Sequence, residues 1–210
     1  MWTALSGQVP ACDPWPVHND PSQLPDDLPR PTDDGASDHL PGRSLPSVEV
    51  LATDGTMVDL SATSSPWTVV YIYPRTGVPG ADPPTGWDLI PGARGCTPQS
   101  CSFRDVHGEL AELGATVYGL STQPHDEQVE FSRREHIPFQ LLSDPERVVG
   151  EALDLPVFAV DGIVAYKRMT LIARERTIAH VRYPVFPPDR DAEDVLAWLR
   201  DATARAGSAG

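Results

Sequence analysis

The segment "GCTPQSCSFRD", residues 95–105, places Cys96 and Cys101 five positions apart where a helix begins. Thr97 can cap, Pro98 suits a first turn, and Phe103, Val106, Leu110 and Leu113 follow as an apolar stripe at helical spacing. A sulfur there meets orphan amides and the positive end of the helix dipole, which favour thiolate over thiol. Arg94 would reinforce this if its side chain turns inward. Residues five apart on an intact helix have Cα atoms about 8.6 Å apart, beyond the roughly 4.4–6.8 Å of a disulfide. A permanent bridge is therefore excluded on a formed helix, whereas a cycle is permitted in which Cys96 is oxidised, the turn melts and Cys101 attacks. A metal site built from Cys96, Cys101 and His107 is disfavoured: the spacing matches no common zinc knuckle and a fourth ligand is missing.

The surrounding pattern tells which elements must hold these residues. "WTVVYIY" (67–73) is a continuous apolar, β-rich run, as expected of a strand covered on both faces, and "ATVYGLS" (115–121) and "FQLLSD" (139–144) read similarly. Helices are expected over about 98–113 and 125–136, and after Asp144-Pro145, which reads as a cap and first-turn proline. Asp54-Gly55 between two short β-type runs signals a hairpin. "KRMTLIA" and "TIAHVRY" form a second β pair, and a helix over about 188–204 closes the chain. Strands alternating with helices, finished by an antiparallel pair and a helix, predict an α/β sandwich around a mixed sheet. One stretch stands outside this scheme: residues 74–95 are turn chemistry at the carboxyl end of a central strand, where α/β folds commonly build sites.

The totals agree with one domain plus an extension. The 210 residues are 40% hydrophobic and 22% charged. The first 46 hold nine prolines and seven aspartates, so residues 1–40 are expected to form an extended arm and residues 41–205 the domain. Cys12 lies in that arm without a nearby partner. No apolar run is long enough to span a membrane and the start has no signal-peptide pattern, so a cytoplasmic location is expected. In a reducing compartment three cysteines favour catalysis or metal binding over a disulfide framework. A net charge of -14 disfavours nucleic acid and anionic membrane as partners.

"GCTPQSCSFRD" closely resembles the active-site segment of Q-type peroxiredoxins, the bacterioferritin-comigratory-protein subfamily. The likeness continues through "VYGLSTQPHDEQVEFSRREHIPFQLLSDPERVVGEAL" and "KRMTLIARERTIAHV", covering roughly residues 45–200. The resemblance implies a thioredoxin-like fold and reduction of hydrogen peroxide and organic hydroperoxides without a bound cofactor. It implies Cys96 as peroxidatic cysteine, Cys101 as resolving cysteine, and Arg168 as the arginine that supports the thiolate and polarises the peroxide. The partners it implies are a peroxide and a thioredoxin- or glutaredoxin-like reductant, and it leaves a homodimer open.

Two departures from the family pattern stand out. Twenty-one residues separate Pro74 from Cys96 where the family has six, and Ala93 occupies the position of its active-site threonine. Thr76 and Thr85 are the candidates to replace that hydroxyl. Two other functions fit the same residues. A thiol–disulfide oxidoreductase would normally use the closer Cys-x-x-Cys pair. A non-catalytic redox sensor would use oxidation of Cys96 to remodel the helix start.

Overall fold

A computed structural model of the chain describes residues 20–22, 24 and 28–207. Cys12 and much of the N-terminal arm lie outside the described residues. The strands are β1 (Glu49–Ala52), β2 (Met57–Asp59), β3 (Trp67–Ile72), β4 (Ala115–Ser121), β5 (Gln140–Ser143), β6 (Val157–Val160), β7 (Ile163–Tyr166), β8 (Met169–Arg174) and β9 (Thr177–Arg182). The helices are α1 (Cys96–Asp105), α2 (His107–Glu112), α3 (His125–Arg134), α4 (Val148–Leu153) and α5 (Asp191–Gly207). Seven strands form one mixed sheet in the order β2-β1-β5-β4-β3-β8-β9, with β3, β4 and β5 parallel and the other neighbours antiparallel.

Every residue of β3 is buried, as its unbroken apolar run requires. Its side chains alternate between two layers. Trp67, Val69 and Tyr71 face a core completed by Phe103 of α1, Leu110 of α2 and Val195 and Leu199 of α5. Val70 and Ile72 face the other, with Val149 and Leu153 of α4 and with Leu40 and Leu45. Leu40 is fully buried and Leu45 nearly so, so the chain is already packed on the sheet before β1 begins. Asp34 of this stretch accepts from Lys167 and from the Tyr183 hydroxyl.

Three expectations change in detail. The helix expected over 98–113 starts at Cys96 and breaks at Val106 into α1 and α2. Asp144 does cap the next helix, accepting from the Val148 and Val149 amides at 2.7 and 3.0 Å. That helix begins at Val148, however, so Pro145 lies outside its first turn. The β6–β7 hairpin was not expected from the sequence. It turns through Asp161 and Gly162, both at positive φ.

Candidate active site

The route to the site starts at the carboxyl end of β3. The β3–β8 register pairs Ile72 with Met169, which sets Arg168 beside the residues that follow β3. On the neighbouring segment, Arg75 brings its backbone N–H to 3.4 Å from Cys96 Sγ. Cys96 is the first residue of α1. Its N-cap, Gly95, sits at φ 97°, where a side chain is strained, and an added Cβ would come within 2.3 Å of Pro188 Cγ. Glycine is therefore demanded there by both conformation and space.

Cys96 is only 2% exposed and Arg168 only 3%. The Arg168 Nη2 donates to Cys96 Sγ at 3.1 Å and to the Arg94 carbonyl at 2.9 Å. Longer bonds at 3.3 Å reach the Ala93 and Gly92 carbonyls, and Nη1 donates to Gln99 Oε1. A guanidinium fork held at this many points presents one fixed donor to the sulfur. Gln99 is fixed in turn: its Nε2 donates to Asp191 Oδ2 at 2.7 Å. Asp191 also accepts from the Thr170 hydroxyl at 2.6 Å and from Arg182 Nε at 2.9 Å. Because the Asp191 carboxylate takes the Gln99 amide nitrogen, the amide oxygen is left facing Arg168.

Cys101 stands one and a half turns along the intact α1, half-buried, with a free thiol. Its Sγ lies 3.7 Å from Glu135 Oε2. Burial chiefly, and the neighbouring Glu135, push its thiol above the ordinary cysteine range, against a smaller opposing effect of Arg104. It is a protonated thiol at neutral pH. Cys96 and Cys101 are thus brought to one helix but not to each other. His107 packs its ring against Phe139, with centroids 5.5 Å apart.

Sequence reasoning named Cys96, Cys101 and Arg168, and the structure brings Cys96 and Arg168 into contact. Arg94 acts differently from the expectation. Its guanidinium pairs with Asp88 at 3.0 Å, and it is the Arg94 backbone carbonyl that reaches the site by holding Arg168. Thr76 and Thr85 both line the cavity beside Cys96. The Thr76 hydroxyl already donates to Gln123 Oε1 at 3.0 Å, and the Thr85 amide is tied to Asp161. Thr97, the residue after Cys96, lines the same cavity and carries a buried hydroxyl with no hydrogen-bond partner. Gln99 and Asp191 went unnoticed in the sequence, and Thr97, expected as a cap, does not act as one: Gly95 is the N-cap of α1 and the Thr97 hydroxyl bonds to nothing. Helical spacing three residues after Cys96 was the available signal for Gln99.

The long segment after Pro74 is ordered by contacts of its own. Trp87 and Ala93 join Ala165 in a small apolar cluster, with Ile90, Phe158, Val160 and Ile163 packed against it. The Trp87 and Phe158 rings lie 5.6 Å apart, Arg134 donates to the Gly77 carbonyl, and Pro31 rests on Gly92. The segment and the β6–β7 hairpin together roof a cavity of about 430 Å³ that Cys96 lines.

The fold, with a cysteine at a helix start facing a buried arginine across the edge of a mixed sheet, is thioredoxin-like. Residues 40–196 match the redoxin family, and the chain belongs to that family. Peroxiredoxin Bcp of Bacillus subtilis is 32% identical over 114 residues, which cover 54% of this chain and 63% of that protein. A putative chloroplastic peroxiredoxin Q of Oryza sativa is 26% identical over 159 residues, 76% of this chain and 66% of its own length. The chain therefore spans about two thirds of the length of these relatives. Among solved structures, peroxidoxin BcpB of Mycobacterium tuberculosis superposes with a TM-score of 0.63 at 28% identity, covering 77% of this chain and 96% of that one. The resemblance to Q-type peroxiredoxins read from the sequence is borne out, and with it the thioredoxin-like fold.

Proposed function

We propose that the chain is a thiol-dependent peroxidase that reduces hydrogen peroxide and organic hydroperoxides at Cys96. The observation that carries this reading is the 3.1 Å contact between Arg168 Nη2 and Cys96 Sγ, two nearly buried side chains. The fork that donates to the sulfur also stabilises negative charge as it develops on the departing oxygen. The burial of Cys96 also favours a small substrate over a protein disulfide, which counts against the oxidoreductase alternative.

The thiolate of Cys96 attacks the terminal oxygen of the hydroperoxide. The S–O bond forms, the O–O bond breaks, and the alkoxide or hydroxide leaves with a proton as alcohol or water. Cys96 is then a sulfenic acid. The Thr97 hydroxyl is the group we assign to contact the peroxide, in place of the threonine absent at position 93.

Resolution requires the first turn of α1 to open, because the two sulfurs cannot meet on a formed helix. Cys101 gives up its thiol proton and attacks the Cys96 sulfur; the S–S bond forms, the S–O bond breaks, and the departing hydroxide takes up a proton to leave as water. An external dithiol of the thioredoxin or glutaredoxin type reduces the disulfide and is itself oxidised. Opening the turn breaks the hydrogen bond that the Gln99 backbone N–H donates to the Gly95 carbonyl and pulls the Gln99 side chain away from Arg168 and Asp191. Phe103, stacked on Tyr71 with centroids 4.5 Å apart, is the anchor on which the rest of the helix stays.

Rapid mixing of reduced protein with peroxide tests the assignment. Cys96→Ser should abolish consumption. Cys101→Ser should consume one equivalent and then over-oxidise instead of turning over. Equal turnover by Cys101→Ser would remove Cys101 from the mechanism.

A further inference from the structure

The cavity over Cys96 is far larger than hydrogen peroxide needs. It measures about 430 Å³. A water takes about 30 Å³ of liquid, and hydrogen peroxide, with two oxygens, on the order of twice that. Volumes in this range suit small organic ligands.

The composition of the walls narrows the ligand further. Val78, Ala81, Pro83, Pro84 and Trp87 of the long segment and Ile163 of β7 supply an apolar wall. Val78 is 55% exposed, a large apolar side chain left open to whatever occupies the cavity. The two cations in the lining are already paired: Arg75 with Glu127 at 2.8 Å and Arg94 with Asp88 at 3.0 Å. Two carboxylates, Asp82 and Asp161, stand in the same lining. An anionic ligand would meet these carboxylates, and both cations of the lining are already engaged.

We propose that residues 75–94 and the β6–β7 hairpin form a binding site for the organic body of an uncharged, bulky hydroperoxide. Its terminal –OOH points at Cys96, and the site disfavours hydroperoxides that carry a carboxylate. This assignment rests on the peroxidase reading above. It gives the long segment a role: the segment builds a substrate wall that a short connection could not.

The experiment compares rates of Cys96 oxidation by cumene hydroperoxide, hydrogen peroxide and linoleic acid hydroperoxide. It uses the full chain and its Val78→Asp and Val78→Arg variants, since Val78 is open to solvent and takes no part in the hydrogen bonds that hold Cys96 and Arg168. The wild type should prefer cumene hydroperoxide to both other substrates. Val78→Asp, which buries a carboxylate against the apolar body, should lower the cumene rate about tenfold while leaving hydrogen peroxide within about twofold. Val78→Arg should raise the linoleic acid hydroperoxide rate relative to cumene hydroperoxide. A fast wild type whose selectivity neither variant moves would overturn the binding site alone. A wild type that reacts with all three no faster than free cysteine would overturn the peroxidase reading and this assignment with it.

Discussion

Arg168 Nη2 and Cys96 Sγ lie 3.1 Å apart although 72 residues separate them in the chain. The contact is made by strand register: β8 runs antiparallel to β3, and Arg168 is the residue just before β8 begins. Three backbone carbonyls and Gln99 hold the guanidinium in place. Lysine cannot reproduce that fork. Arg168→Lys should therefore lower the second-order rate constant with peroxide by about 10²–10³-fold, the usual cost of losing one donor at a developing oxyanion. Stopped-flow kinetics at saturating reductant would measure it.

Asp191 sets the orientation of the Gln99 amide and so acts on Arg168 at one remove. It is fully buried and accepts from three different side chains. Asp191→Ala leaves Arg182 without its buried partner and should destabilise the fold by about 3–5 kcal/mol in chemical denaturation. Asp191→Asn keeps the volume and frees the amide to flip. It should lose less stability and still slow the peroxide step about tenfold, with the iodoacetamide reaction of Cys96 little changed.

The unpartnered Thr97 hydroxyl gives a separate test. A buried hydroxyl without a partner costs about 1–3 kcal/mol, and a bound peroxide would satisfy it. Thr97→Val should lower the peroxide rate about 10-fold or more without slowing alkylation of Cys96. Thr97→Ser should restore the peroxide rate. Equal loss in both reactions would assign Thr97 to the helix start and not to substrate.

Cys101 should respond to pH in a defined direction. Its thiol is raised by burial first and by Glu135 second, so at neutral pH it is protonated. Glu135→Gln removes the negative charge and weakens the acceptor but leaves the burial. In a Cys96→Ser background this variant should alkylate faster at a given pH, and its pH–rate curve should shift to lower pH. The size of the shift reports how much of the raised value comes from Glu135 and how much from burial.

Half of the candidate site was legible in local pattern. Cys96 is marked by Gly95, Pro98 and the stripe beginning at Phe103, whereas Arg168 was named only through the resemblance to Q-type peroxiredoxins. The same spacing argument placed β3, β4, β5 and α5 close to where they lie. What the sequence concealed depends on long-range contacts. Asp191 and Gln99 are 92 residues apart, and nothing near either marks the pairing. The break at Val106 divides an apolar stripe that looks continuous in sequence. The β6–β7 hairpin did leave a signal, since Asp161-Gly162 is the dipeptide that favours a tight turn with both residues at positive φ. The flanking strands are only four residues each, too short for alternation to identify them. The long segment reads as turns because its order comes from Trp87 meeting Phe158 on that same hairpin.

The central claim is that Cys96 and Cys101 are one redox pair joined through a melted helix turn. It is tested most directly on the tryptic peptide Gly95–Arg104, which contains both. Reduced protein receives one equivalent of peroxide, is quenched within a second by an alkylating agent, and the peptide is weighed. The account predicts a peptide lighter by two hydrogens and carrying no alkyl group, the signature of an intramolecular disulfide. Recovery of the peptide with both cysteines alkylated would contradict it.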